Sequence, residues 1–214
     1  MSANGMSALC GIGAAVLSLC AGAVYIRDIV RGTTRPSRVT WFALAILNAV
    51  LAASYYASGA RETVWLPASY AASFLAVAIL SIWRGHGGWS AFDVLCFAGA
   101  AFGMGLWWWL RSPTAALALL IAVELAAFLP TVLKAYRLPE TEHVGAWVMA
   151  TAASLLNVFA IREWSAAIYA YPLYAVVANA LFVGLLLYRR RFTCAAALHP
   201  PLESIRTRSG THGP

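Results

Sequence analysis

The sequence predicts an all-α, polytopic membrane protein with seven transmembrane helices, arranged as two parallel three-helix repeats joined by a linker helix. Three observations predict this fold class. The chain is 62% hydrophobic and only 11% charged, with a mean hydropathy of +0.73, which exceeds what a soluble core of this size buries. Seven apolar stretches are long enough to cross a bilayer. A set of marker residues occurs twice in the same order.

The seven predicted spans, numbered 1 to 7 in chain order, are the long apolar stretches of the chain. A bilayer core is roughly 30 Å thick and a helix rises about 1.5 Å per residue, so about 20 residues make one crossing. The spans are residues 7–26, 39–58, 66–82, 91–110, 114–133, 145–161 and 166–188.

The repeated markers indicate an internal duplication. They keep their order at separations of 101 to 106 residues. The first copy has Arg31, Pro36, Trp41, Arg61-Glu62 and Pro67, and the second has Lys134, Pro139, Trp147, Arg162-Glu163 and Pro172. Repeat one therefore covers residues 7–83 and repeat two residues 113–188, with the linker helix at 90–110. Because three crossings reverse the chain, one linker helix lets both repeats enter the membrane in the same orientation.

Positive charge predicts the orientation of the chain. Arginine and lysine cluster after spans 1, 3, 5 and 7, and short basic loops stay on the cytoplasmic side. The N terminus is therefore expected outside and the C terminus in the cytoplasm. The net charge of +7 is then a topology signal rather than a nucleic-acid surface. Residues 192–214 have little apolar content and are predicted to be a disordered cytoplasmic tail.

The second copy resembles the PQ-loop motif, in which a proline and a polar residue end one helix and a basic residue precedes a short loop. It reads ELAAFLPTVLK over residues 124–134, followed by Tyr136, Pro139, Glu140 and Trp147. With its 3+1+3 layout the chain is similar to the superfamily of SWEET and SemiSWEET sugar transporters, cystinosin-like lysosomal transporters and the KDEL receptor. The resemblance implies a transporter of a small polar solute, such as a sugar or an amino acid, that works by alternating access. Pro130-Thr131 stands where that motif has proline and glutamine.

Glu124 is the candidate proton-coupling residue. It lies about ten residues from either end of span 5, roughly 15 Å deep. An ionised carboxylate at that depth is costly unless it is paired or in contact with water. We interpret Glu124 as a proton-coupling or substrate-binding acid. The alternative is a protonated carboxyl group that links helices for structural reasons.

Amide and tyrosine side chains within the spans are the candidate substrate-binding groups, since amides there face other helices or a cavity. The amides are Asn48, Asn157 and Asn179. In SWEET-like transporters an asparagine in the third helix of each unit contacts substrate, which implies Asn179 and, at the matching place in span 3, Ser73. Tyr70 and Tyr174 are candidates to stack on a ligand. Interhelical bonding for the amides and interfacial anchoring for the tyrosines are the alternatives.

Four residues near the cytoplasmic side are candidate gate or hinge residues. Pro130 lacks a backbone N–H and permits bending of its helix. Asp28 and Arg31 are three residues apart, a spacing that predicts a local ion pair. Lys134 matches Arg31 in the repeat, and both are either headgroup anchors or gate partners of Asp28 and Glu140.

Several function classes are not expected from this sequence. The sole lysine, Lys134, lies outside span 7, so a retinal Schiff base is excluded, and the four histidines lie outside the spans, which excludes a haem between them. The cysteines lack metal-ligand spacing, and the spans hold no convergent set of ionisable groups. We therefore expect no enzyme activity, no cofactor, no metal and no nucleic-acid partner.

The expected partners are a small-molecule substrate and the lipid bilayer, with protons left open as a coupling ion. The protein is expected to be a monomer or a homo-oligomer, since one chain carries both repeats. Abundant alanine and arginine with a single lysine are typical of a GC-rich bacterium, so a bacterial cytoplasmic membrane is the expected location. The alternative function is a noncatalytic receptor, assembly factor or lipid-handling protein with the same fold.

Overall fold

The structure is a computed structural model that describes residues 3–36, 38–85 and 113–198, with isolated positions between 91 and 109. Within these residues the chain is all-helical. The helices are α1 (Ala3–Val30), α2 (Arg38–Ala57), α3 (Trp65–Arg84), α4 (Pro113–Arg137), a 3-10 turn (Pro139–Thr141), α5 (Val144–Phe159) and α6 (Ala166–Leu198). Each α-helix corresponds to one predicted span. Span 4 falls largely outside the described residues. Residues 192–198, which were predicted to begin the disordered tail, instead belong to the C-terminal part of α6, and the tail from residue 199 onward lies outside the described residues.

Five of these helices are long and apolar enough to cross a membrane, judged by length and composition within the described residues. The stretches are Gly5–Val30, Thr40–Ala57, Trp65–Arg84, Leu117–Arg137 and Ala166–Arg191. Helix α5 is apolar but has only 16 residues, or about 24 Å of helix. The prediction of an all-α protein with apolar helices compatible with a membrane is confirmed.

The helices pack in a closed ring. Helix α1 packs against α3 and α5, α3 against α2, α2 against α4, and α4 against α6, which returns to α5. We call α1–α3 the first triplet and α4–α6 the second triplet. In both triplets the third helix lies between the first and the second. The order around the ring therefore repeats after three positions.

Each triplet contains a cluster of three aromatic rings, one from each of its helices. The rings are Tyr25, Trp41 and Phe74 in the first triplet and Phe128, Trp147 and Phe182 in the second. The two tryptophans are markers of the sequence repeat. Their ring centroids lie 4.3 to 5.5 Å from the ring centroids of the other members of their clusters. The duplicated positions thus have duplicated packing.

Basic side chains bring several helix ends together. Arg84 donates to the carbonyl of Val30, Arg189 to that of Tyr136 at 2.8 Å, and Lys134 Nζ to that of Arg35 at 3.3 Å. The C-terminal ends of α1, α3 and α4 and the last turns of α6 around Arg189 therefore lie at one end of the bundle, which we call the basic end. The opposite end, formed by residues 58–64 and 160–165, is called the far end.

Candidate functional site

A cavity of about 80 Å³ lies inside the ring, bordered by every described helix except α1. Two of its walls are Trp41 and Trp147, the matched tryptophans of the repeat. Its polar groups come from Tyr70, Glu124, Thr131, Tyr171, Tyr174 and Asn179. Four predicted site residues therefore share this cavity, namely Tyr70, Glu124, Tyr174 and Asn179.

Glu124 is held by an amide that also binds a tyrosine. Asn48 Nδ2 donates to Glu124 Oε1 at 3.2 Å and to the Leu44 carbonyl at 3.0 Å. The Tyr171 hydroxyl donates to Asn48 Oδ1 at 3.0 Å. None of the ion pairs in the described part of the chain includes Glu124. The Asn48 amide, rather than a cation, thus contacts this carboxyl group, and the Asn48–Glu124 and Asn48–Tyr171 bonds join α2, α4 and α6.

Asn179 takes part in a second polar group at the cavity. Its Nδ2 donates to Ser154 Oγ at 3.2 Å and to the Ala175 carbonyl at 2.8 Å. The Tyr70 hydroxyl lies 3.2 Å from the same Ser154 oxygen. Asn179 therefore makes an interhelical bond and also borders the cavity, so both interpretations of its sequence position describe part of its environment.

The two polar groups are related by the sequence repeat. Asn48 and Ser154 are 106 residues apart, the same separation as Trp41 and Trp147 in the same helices. Asn48 of the first triplet binds Tyr171 of the second, and Ser154 of the second triplet binds Tyr70 of the first. Each triplet thus uses one position of its second helix to hold a tyrosine of the other triplet.

Two other candidate residues lie away from this cavity. Ser73 borders a second cavity of about 50 Å³ between the triplets, close to Gly22 of α1. Asn157 is fully buried, and its two side-chain polar atoms have no hydrogen-bond partner among the described residues. The structure therefore does not bring Ser73 and Asn179 together as a pair, and Asn157 is not among the residues that border either cavity.

At the basic end, Lys134 pairs with a glutamate that the sequence analysis did not single out. Lys134 Nζ lies 2.9 Å from Glu142 Oε1, and Trp147 Nε1 donates to Glu142 Oε2 at 3.1 Å. Glu142 is only 2% exposed. Glu140, the expected gate partner of Lys134, is exposed in the 3-10 turn. Because Trp147 also borders the central cavity, Glu142 connects the basic end to the cavity wall.

Asp28 pairs with a different arginine from the one predicted. Its ion pair is with Arg27 at 3.1 Å, and His143 Nε2 of the second triplet lies 3.8 Å from its other oxygen. Arg31 follows the end of α1, so the helical spacing that predicted its pairing with Asp28 does not apply there. Pro130 lies within α4, which continues past it to Arg137.

The far end carries an ion pair between the triplets. Arg162 Nη1 lies 2.8 Å from Glu62 Oε1, and these residues belong to the two repeated Arg-Glu markers. They border a cavity of about 670 Å³. Contacts between the triplets thus occur at both ends, with the small central cavities between them.

Sequence reasoning missed Tyr171, Ser154 and Glu142, whose roles depend on partners from distant parts of the chain. A signal existed for Ser154, which falls at the repeat position of Asn48. In the described part of the chain, no group of three or more histidine, cysteine, aspartate or glutamate side chains is placed to hold a metal ion.

Comparison with known proteins adds no family assignment. No family model matches the chain, and no match was found among curated proteins or solved structures.

Proposed function

We propose that this protein is a membrane transporter of a small polar solute and that it works by alternating access between two parallel three-helix repeats. The observation that carries the proposal is the ring order, which repeats after three helices and surrounds a mainly apolar cavity that Glu124 and Asn179 border. Two triplets related in this way meet along two equivalent seams, α1 with α5 and α4 with α2. Rocking of one triplet against the other around a fixed central site is a known route to alternating access.

In the proposed arrangement, span 4 links the two repeats and the N terminus is outside. The basic end then faces the cytoplasm, as short basic loops do. The resemblance of residues 124–134 to the PQ-loop motif and the 3+1+3 layout support this arrangement. The proposed location is the cytoplasmic membrane of a bacterium.

The groups around the central cavity suit a small solute with hydroxyl or charged groups. Glu124 offers a carboxyl, Asn179 an amide, and the tyrosines offer hydroxyls, while Trp41 and Trp147 offer flat apolar walls. At about 80 Å³ the cavity is well below the roughly 300 Å³ or more of ordinary ligand pockets. The structure therefore represents a closed state in this proposal, and the triplets separate to admit the solute.

Contacts at the two ends supply the gates. The Lys134–Glu142 pair and the Lys134–Arg35 bond lie at the basic end, and the Arg162–Glu62 pair lies at the far end. In an alternating-access cycle only one set opens at a time. The Arg162–Glu62 pair suits this role because a partly exposed ion pair contributes at most about 1 kcal/mol and is easily broken. At the basic end Glu142 is buried, so the Lys134–Glu142 pair costs more to break.

A receptor, assembly or lipid-handling protein is the alternative function. Such a protein is expected to have a dry, leucine-packed interior with a groove open to lipid. The cavity that contains both Glu124 and Asn179 favours transport.

The test is uptake into proteoliposomes of labelled glucose, alanine and lactate, with and without an imposed pH gradient. We expect pH-dependent uptake of at least one of these solutes, and we expect Glu124→Gln to lose the pH dependence. Glu163→Gln is the matched control, since it makes the same chemical change at an exposed position of the far end. Folded wild-type protein that takes up none of the panel would contradict the proposal and favour the alternative.

A further inference from the structure

Aromatic rings form half of the wall of the central cavity. Seven of the 14 residues that border it are aromatic, and they come from both triplets. They include Trp41 and Phe74 of the first triplet and Phe128 and Trp147 of the second. The ring centroids lie 5.1 Å apart for Trp41 and Phe74 and 5.5 Å apart for Phe128 and Trp147. Each triplet therefore presents a group of adjoining rings to the cavity.

Glu124 is the acidic side chain in this wall, and no basic side chain accompanies it. None of the described residues that border the cavity is a lysine, an arginine or a histidine. The hydrogen bond from Asn48 Nδ2 at 3.2 Å offsets part of the cost of burying a carboxylate, but an amide carries no net charge. Among apolar groups this carboxyl group therefore needs either a bound proton or a cation from outside the protein chain.

A carboxylate beside aromatic rings has the chemistry that recognises an ammonium ion. An aromatic ring attracts a cation because of its electric quadrupole, and tryptophan does so most strongly. A metal ion would need several oxygen ligands, and in the described part of the chain no group of three or more histidine, cysteine, aspartate or glutamate side chains is placed to hold one. The carbon atoms of an organic ion also gain from the apolar part of the wall.

The volume of the cavity favours a small ion. The cavity measures about 80 Å³, and one water molecule, which is about as large as a methyl or ammonium group, needs roughly 10–15 Å³ on this scale. Ethylammonium, which has three non-hydrogen atoms, therefore fits even in the closed state. A zwitterion is less favourable, because its carboxylate would find no basic side chain among the described residues at the cavity.

We propose that the central cavity binds a small aliphatic ammonium ion, with its nitrogen at the Glu124 carboxylate and its carbon atoms against the aromatic rings. This inference names the solute of the proposed transport function and rests on that function for the movement of the ion across the membrane.

A proton and the ammonium ion compete for Glu124, because a protonated carboxyl group has no charge to attract the ion. The other titratable side chains at the cavity are Tyr70 from α3 and Tyr171 and Tyr174 from α6, and the described residues of α2 and α5 add none. Phenols carry no charge near neutral pH. Binding of the ion therefore weakens as the pH falls, and the transport cycle exchanges one proton for one ammonium ion.

The test is a saturation-transfer NMR titration of the purified full-length protein in detergent micelles, with empty micelles as the blank. We expect ethylammonium to bind in the millimolar range, as befits so small an ion, and about 10-fold or more tightly than ethanol, its neutral counterpart. Glu124→Gln should weaken ethylammonium binding about 10-fold or more, and Trp41→Leu about 2- to 30-fold. Glu124→Asp keeps the charge and should retain binding, and the control Glu163→Gln, at an exposed position, should equal the wild type.

Equal affinities of the wild type for ethylammonium and ethanol overturn the inference, and this comparison needs no variant. Wild-type affinity for ethylammonium in folded Glu124→Gln overturns it as well. The uptake panel separates the inference from the transport function, because alanine is the panel member with an ammonium group and matches lactate in size. Uptake of lactate or glucose without binding of ethylammonium overturns the inference and leaves transport standing. Binding of ethylammonium by protein that takes up none of the panel supports the cation site and contradicts the transport function.

Discussion

The hydrogen bond between Asn48 and Tyr171 offers a direct test of the geometry around Glu124. The Tyr171 hydroxyl donates to Asn48 Oδ1 at 3.0 Å, and the two residues are 1% and 0% exposed. Tyr171→Phe removes the hydroxyl and keeps the ring. Asn48→Ala removes this bond and also the bond from Asn48 to Glu124 at 3.2 Å. The two changes therefore overlap in one bond, which a double-mutant cycle isolates.

The expected magnitude follows from hydrogen bonds between helices in membranes. These average about 0.6 kcal/mol and reach about 1.7 kcal/mol, so the coupling energy between Asn48→Ala and Tyr171→Phe should fall between these values. Asn48→Ala alone should cost about 1–3 kcal/mol, because it leaves the buried Tyr171 hydroxyl and the Glu124 carboxyl without this partner. Tyr171→Phe should cost less than Asn48→Ala.

The assay is reversible unfolding of the wild type, the two single variants and the double variant in mixed micelles. A cycle of Asn48→Ala with Ser58→Ala is the control, since the Ser58 hydroxyl donates to the Ser54 carbonyl, ten residues further along the chain from Asn48. That control should show additivity within about 0.5 kcal/mol. A coupling energy for Asn48 and Tyr171 no larger than the control value would refute the reasoning.

Three further predictions test other contacts. Gly22→Ala should destabilise the protein, because an added Cβ would lie 2.6 Å from Ser73 Oγ; Ser73→Gly in the same chain should restore the unfolding midpoint, and failure to do so would contradict the close α1–α3 contact. Arg162→Glu should cost about 1 kcal/mol or less, since its ion pair with Glu62 is partly exposed, and the reversed pair with Glu62→Arg should recover that loss at low salt but not at high salt. Lys134→Ala should lower the free energy of unfolding by about 1.5–3 kcal/mol, because buried Glu142 loses a charged partner. Lys134→Arg keeps the charge and should cost clearly less. Equal losses in the two variants would show that the charge is not what stabilises this contact.

The sequence predicted the helices well because helix formation here depends on local apolar length. Spans 2 and 3 agree with α2 and α3 to within two residues at each end. Span 1 was too short at its C-terminal end, since α1 continues through the polar Arg27 and Asp28 to Val30. The turn of α1 closes at Gly32 with a φ of 76°, a conformation that favours glycine. Hydropathy alone therefore ends a helix too early where polar side chains occupy the last turn.

Side-chain pairing was predicted less well because it depends on which helices meet. Sequence spacing suggested Arg31 for Asp28 and Glu140 for Lys134, but the structure pairs Asp28 with Arg27 and Lys134 with Glu142. Glu142 follows the 3-10 turn and lies inward against Trp147, a contact that the local sequence does not indicate. Glu124 could be singled out from the sequence because a lone carboxyl within a long apolar stretch is a local signal, and in the structure it borders the central cavity.

The two triplets repeat the same helix arrangement, but the residues that border their cavities differ. At the marker separation of 103 residues, Glu124 corresponds to Ala21, and Phe128 corresponds to Tyr25. Ala21 and Tyr25 border the second cavity, as Glu124 and Phe128 border the first, so the two cavities occupy matching places in the two triplets. The acid is therefore present in one triplet, and a phenolic hydroxyl lies at the cavity of the other.

This asymmetry limits the coupling in the proposed cycle. One Glu124 per chain carries one proton, so uptake should couple one proton to each solute molecule. Parallel measurement of dye-reported proton movement and labelled-solute entry in proteoliposomes gives the ratio. A ratio of two protons per solute molecule would mean that a second proton-carrying group takes part. If Glu124→Gln still moved one proton per solute molecule, the proton-carrying group would lie elsewhere in the chain.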